Sequence, residues 1–336
     1  MKGKINHEMN SLRTFAIFLV VLLHVNANNV MKLLTGTDLI NSSEIVTFIS
    51  IITRIGVPIF VMLSGRYLLA SVKDYSLKEF YKKRVPRLIL PLLAAVIIYF
   101  PFYMIGIEEA TFLNYIKDIF TGFKSNPLCI HLWYIYMLLI LYLLSPLFYK
   151  LLEGKSLKKS LTISIGLCVL GSIMEIIKNI TGINIWIFWW IEFSGLFTLG
   201  YVLKDFKIKN KRWLFFAIAL IVELVSTIWS IYLLNIGNDL WFFFHLGLVP
   251  NAQITTIMIY LFANSFEGKN SILSRISKYT LGIYLYHPLI IVTVVKIIDT
   301  GIIILNIFIG TVVAFLVPLV IMIFLYKIKP IRKFIS

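Results

Sequence analysis

Ten apolar runs recur along this 336-residue chain, at about 12–34, 45–70, 88–107, 128–152, 160–178, 185–203, 213–234, 241–264, 280–298 and 301–326. Each holds about 18 residues or more, enough to cross a bilayer. No other feature restricts the fold so far. In hydrocarbon every backbone N–H and C=O needs a partner inside its own segment, which leaves helices for runs of this length. The expected fold is an all-α integral membrane protein, a bundle of about ten transmembrane helices. A content of 59% hydrophobic residues and a mean hydropathy of +0.89 agree, and exclude an ordinary soluble domain.

A net charge of +16 invites a nucleic-acid reading, but the placement of the charge argues against one. With the N-terminus in the cytoplasm, the inside segments hold 25 of the 32 lysines and arginines. Outside segments hold Lys32, Lys117, Lys124, Lys178 and Lys296, while Arg54 and Arg66 fall within spans. That is the positive-inside asymmetry, so both termini are expected in the cytoplasm and no nucleic-acid partner is implied. Met1 to Leu12 is short and carries Lys2, Lys4 and Glu8, so the first span reads as an uncleaved anchor. The longest connections are 71–87 and 108–127, which leaves one membrane domain over 1–336 with no appended soluble domain. Phe112, Tyr115, Ile116, Ile119, Phe120 and Phe123 follow helical spacing, as in a helix lying on the outer membrane surface. Cys129 and Cys168 show neither metal nor redox spacing.

Ionisable residues at membrane depth mark sites by default, because they are costly in lipid. His24 lies mid-way along the first run, eleven residues after Arg13. Eleven helical steps are about 1100°, so both share a face, roughly 16 Å apart along the axis. Arg54 sits in the second run before Gly56 and Pro58, where it needs an internal partner or a wet cavity; Glu192 and Glu223 are the candidate partners. Arg66 is near enough to the inner side to reach water.

In Lys82-Lys-Arg-Val-Pro-Arg87, Pro86 suits a helix's first turn and puts Arg87 beside free backbone N–H groups. With Arg84 this makes a docking point for a phosphorylated cytosolic molecule, or else a plain positive-inside cluster. His131, His245 and His287 fit hydrogen-bonded packing as well as a site, and His7 is expected in solvent. No H-x-x-x-H or Cys/His pairing points to a metal. Trp133, Trp186, Trp189, Trp190, Trp229 and Trp241 lie in outer halves of spans and Trp213 at the inner side, as an interfacial belt or the lining of an outer cavity.

Five segments together resemble the acyltransferase 3 family of ten-span membrane proteins, over essentially the whole chain. They are Arg13…His24, Arg54-Ile-Gly-Val-Pro-Ile-Phe-Val-Met-Leu-Ser-Gly65, Arg84-Val-Pro-Arg87, His131-Leu-Trp-Tyr and Tyr279-Thr-Leu-Gly-Ile-Tyr-Leu-Tyr-His-Pro288. The resemblance implies a plasma-membrane O-acetyltransferase that moves an acyl group, most often acetyl from cytosolic acetyl-CoA, to a hydroxyl of a cell-surface glycan or its lipid-linked precursor. It also implies that Arg13 and His24 match the family's arginine–histidine motif, and that Arg84 and Arg87, with Arg13, bind the donor. Ser64 and Gly65 match its S-G motif. On that footing the expected catalytic residues are His24, Arg13 and Arg54. His131, Trp133, His287 and Trp190 are the expected acceptor-binding residues, and no metal is expected. Two other readings remain open: a transporter of a glycan or lipid-linked intermediate, and a non-catalytic partner in a polysaccharide-synthesis complex.

Overall fold

The computed structural model describes residues 6–34, 43–106, 110–121, 129–183, 185 and 188–335, and among these it contains helices and no strand. Eight stretches are long and apolar enough to cross a membrane: His7–Met31, Ser43–Val72, Leu77–Gly106, Ile130–Leu152, Leu157–Thr181, Lys209–Asn235, Asp239–Asn264 and Ile303–Leu325. They fall on eight of the ten expected runs.

The other two runs form shorter helices. Numbering helices in chain order, α9 (Trp189–Val202) and α13 (Thr280–Thr293) have 14 residues each. At 1.5 Å per residue each α-helical segment covers about 21 Å, with 3-10 turns at Ser277–Tyr279 and Val295–Ile297 extending α13 at both ends. Both are buried along most of their length, which is where a helix apolar on every side belongs. Helix α9 is wedged between α3 (Gly56–Val72) and α8 (Leu157–Thr181). A Cβ on Gly65 of α3 would run into the Phe197 carbonyl, and one on Gly200 of α9 into the Met62 carbonyl. Small residues let helix backbones approach where no hydrophobic force separates them from lipid.

Two of the long stretches are broken. In the second, α2 (Ser43–Thr53) stops at Arg54 and α3 begins at Gly56. Gly56 is needed there, since a Cβ would collide with Val20 and the Ala16 carbonyl of α1 (His7–Leu34). In the seventh, a 3-10 turn over Asp239–His245 gives way to non-helical backbone at 246–249 before α11 (Pro250–Asn264). Irregular backbone inside a membrane domain is tolerated where it is covered by protein or lines a cavity.

The basic segments gather at one end of the bundle. There Glu8 lies 3.9 Å from Lys207 and accepts from the Gly268 N–H, while the Thr14 hydroxyl donates to the Leu273 carbonyl. His7, expected in solvent, hydrogen-bonds the Ser274 hydroxyl at 2.9 Å. Arg66 does not reach for water; it is buried and donates to the Lys204 carbonyl and the Tyr260 hydroxyl, each at 2.8 Å. Of the expected helix over 108–127, α6 (Phe112–Phe120) forms with Thr111 as its N-cap, while Phe123 lies outside the described residues. Lys124 and Trp186 also lie outside them, as do the side chains of Lys32 and Lys296.

Candidate active site

His24 projects from α1 with its Nδ1 2.8 Å from the Val20 carbonyl one turn earlier. A carbonyl only accepts, so Nδ1 carries the proton and Nε2 keeps its lone pair. The ring packs edge-on against His287 with centroids 4.9 Å apart, and His131 stands 5.8 Å from His287. His287 is held the same way by the Ile283 and Tyr284 carbonyls, and its buried Nε2 has no partner. His131 donates from Nε2 to the Leu285 carbonyl at 3.2 Å, and the Tyr284 hydroxyl donates to the His131 carbonyl. Three histidines from α1, α13 and the 3-10 turn Ile130–Leu132 thus meet at one point. Among the described residues no group of His, Cys, Asp or Glu is arranged to hold a metal.

His24 and His131 line a cavity of about 320 Å³ away from the basic end. Both broken stretches reach it, through Arg54 at one and Gly247 at the other. Its aromatic wall is Trp133, edge-on to Trp189 at 5.1 Å and 5.7 Å from Phe193. Its charged lining is Arg54, Glu175, Lys178 and Glu192. Lys178 and Glu192 close on each other at 2.8 Å. Glu175 accepts from the Gly247 N–H at 3.3 Å through one oxygen.

Two further cavities lead from the basic end toward His24. The first, about 540 Å³, is lined by Arg13, Arg84, Arg87, Ser64, Tyr142 and Lys278 among others. The second, about 130 Å³, shares Arg13, Ser64, Leu88, Tyr142, Thr280 and Leu281 with the first and adds Phe60, Tyr134 and Tyr284. Tyr284 in turn lines the 320 Å³ cavity. By the residues they share the three lie in a file, the larger two at the ends and the small one between, with Tyr284 common to the last two. Pro86 opens α5 (Pro86–Gly106) as expected, but α4 (Leu77–Arg84) runs into it through Val85 in helical conformation. Arg84 and Arg87 therefore flank a joint between two helices and not an isolated helix N-terminus.

The sequence model of the acyltransferase 3 family, described as an acyltransferase domain, matches residues 6–326. The chain belongs to the acyltransferase 3 family. No curated protein and no solved structure matches it. It is a membrane acyltransferase by family and a multi-pass membrane protein by its helices.

In this acyltransferase the residues singled out from the sequence divide between the two ends of the file. Arg13, Arg84, Arg87 and Ser64 meet in the basic-end cavity; Arg13 also packs over the Tyr67 ring at 5.7 Å. His24, Arg54, His131 and Trp133 meet in the opposite one. Arg13 therefore stands with the arginines, away from the cavity that His24 lines. His287 touches His24 from behind and does not line that cavity. Trp190 does not line it either; it packs on Phe148 at 6.3 Å, and the neighbouring Trp189 takes the place on the wall. Neither expected partner meets Arg54, because Glu192 is taken by Lys178 and Glu223 is buried on α10 (Arg212–Asn235) beside Thr255. Glu175, not foreseen as its partner, shares the outer cavity with Arg54. His245 lies away from the histidine cluster, bonded to Ser50 at 2.7 Å. Glu175, Lys178 and Tyr284 escaped sequence reasoning as site residues. The one signal for Glu175 was a carboxylate inside an apolar run, at 160–178.

Proposed function

We propose that this acyltransferase transfers an acyl group, most simply acetyl, from cytosolic acyl-CoA to a hydroxyl of a cell-surface glycan or its lipid-linked precursor at the plasma membrane. What supports it is the file of cavities. At the basic end, taken as cytoplasmic, Arg84, Arg87 and Arg13 offer guanidinium forks to the donor's phosphates. The narrow middle suits the thin pantetheine arm, whose thioester would arrive at His24. The acceptor would enter the opposite cavity from outside.

The chemistry balances without a further reactant. His24 Nε2 takes the acceptor's hydroxyl proton as its oxygen bonds the thioester carbon; the C–S bond breaks, and the leaving thiolate recovers the proton from His24 to give free CoA. Arg54, which lines the same cavity as His24, would stabilise the oxyanion of the intermediate. The test is acetyl-CoA turnover by purified protein in lipid nanodiscs with candidate glycan acceptors. His24→Ala and the double variant Arg84→Ala/Arg87→Ala are each expected to lose thioester consumption while remaining folded. A stable, fully active His24→Ala protein would refute the mechanism.

The two broken stretches favour one other reading, since discontinuous helices meeting at a central site also build transporters. Such a protein has no use for Arg84 and Arg87 as a donor site and consumes no acetyl-CoA, so saturable CoA binding that needs those arginines decides against it.

A further inference from the structure

The outer cavity holds one closed pair of charges and one open pair. Lys178 and Glu192 neutralise each other in contact at 2.8 Å. Arg54 and Glu175 do not: Arg54 Nε is buried without a partner, and so is Glu175 Oε2 on a side chain only 8% exposed. Both line the same cavity, yet no ion pair joins them among the described residues. A pair of buried, unpartnered polar atoms on opposite charges is costly, even with Arg54 partly exposed and Glu175 Oε1 bonded to the Gly247 N–H. It persists naturally where a ligand inserts between the two and completes both.

We infer that the gap between Arg54 and Glu175 seats an uncharged pyranose ring of the acceptor, its hydroxyls donating to Glu175 Oε2 and accepting from the Arg54 guanidinium. The inference rests on the acyltransferase reading above and names the substrate class of that site. The four formal charges lining the cavity, those of Arg54, Lys178, Glu175 and Glu192, sum to zero. A uronic carboxylate here would face Glu175 as a like charge, and an amino sugar's ammonium would face Arg54. A hydroxyl both donates and accepts, so it satisfies one free acceptor and one free donor together. Trp133, Trp189 and Phe193 supply the apolar wall against which a ring's C–H face packs. A volume of about 320 Å³ suits a small ligand more than a long polymer segment. Held there, a hydroxyl lies in the same cavity as His24.

The experiment titrates the full chain in nanodiscs with methyl β-D-glucopyranoside, methyl β-D-glucuronide and methyl β-D-glucosaminide, followed by tryptophan fluorescence. The neutral glycoside is expected to saturate about tenfold more tightly than either charged one, the scale of one hydrogen bond to a charged group. A charged glycoside that binds as tightly, or failure of all three to saturate, overturns the inference. Glu175→Gln leaves the cavity with a net positive charge, so the glucuronide should now bind more tightly than the neutral glycoside. A merely structural role would lower all three affinities together, and that result would also overturn it. Should Glu175→Gln fail to fold, the wild-type ranking decides alone. CoA binding measured on the same samples separates the two claims. CoA binding with no glycoside preference sinks this inference alone; the glycoside ranking without CoA binding or turnover sinks the acyl-transfer reading alone.

Discussion

A neutral histidine becomes a directed base when one ring nitrogen is committed, and the Val20 carbonyl does this for His24 by holding the Nδ1 proton. His24→Ala is therefore expected to lower kcat by about 10²–10⁴-fold, the usual worth of a positioned general base. His24→Gln should not rescue it, because an amide retains hydrogen bonding but takes no proton. The readout is acetyl-CoA consumption at saturating donor. His24 was legible in the sequence because an ionisable side chain in the middle of an apolar run has few reasons to be there. Glu175 was not, because it lies near the outer end of its run, where a carboxylate passes for a solvated end residue. Only the fold shows that α9 and the 246–249 segment cover it. Trp189 and Trp190 differ by one residue in sequence and by about 100° around a helix, so the sequence could offer tryptophans as a belt or a cavity lining without telling which of the two faced the cavity.

At the scale of elements, α9 sets the geometry of the outer cavity, since Glu192, Phe193 and Trp189 all project from it. Its position depends on backbone contact with α3 and α8 at glycines. Gly65→Ala or Gly200→Ala should force α3 and α9 apart and destabilise the protein by about 1–3 kcal/mol, as overpacking does. Gly166 of α8 meets nothing within 4 Å, so Gly166→Ala is the control and should be neutral or slightly stabilising. Thermal unfolding in detergent measures both. The ten runs were legible from hydropathy, which locates apolar segments well. It does not separate a helix that meets lipid from one enclosed by other helices, because both are apolar all round. That is why 185–203 and 280–298 read like the other runs while α9 and α13 are largely enclosed by the bundle. The breaks at Arg54 and at 246–249 were only partly legible: Gly56 and Pro58 announced the first, and nothing comparable announced the second.

At the scale of the whole molecule, the cavities divide the work between two faces. The arginines meet at one end and His24, Arg54 and Glu175 at the other, joined through the narrow cavity between Phe60, Tyr134 and Tyr284. No pattern in the sequence encodes that connection, since the residues along it come from α1, α3, α5, α7 (Trp133–Leu152) and α13. The division carries a prediction about sidedness. In sealed vesicles of known orientation, acetyl-CoA should support transfer only from the face bearing Arg84 and Arg87, and a glycan acceptor only from the other. Arg84→Ala/Arg87→Ala should raise the KM for acetyl-CoA with little change in acceptor affinity. Added salt should weaken donor binding to the wild type more than to the variant, because phosphate–guanidinium attraction is screened. Turnover that requires donor and acceptor on the same face would contradict the file of cavities as the route. It would also return His24 to a packing role, because the proposed route from the arginine end to that imidazole runs past Tyr284, the residue the narrow and outer cavities share.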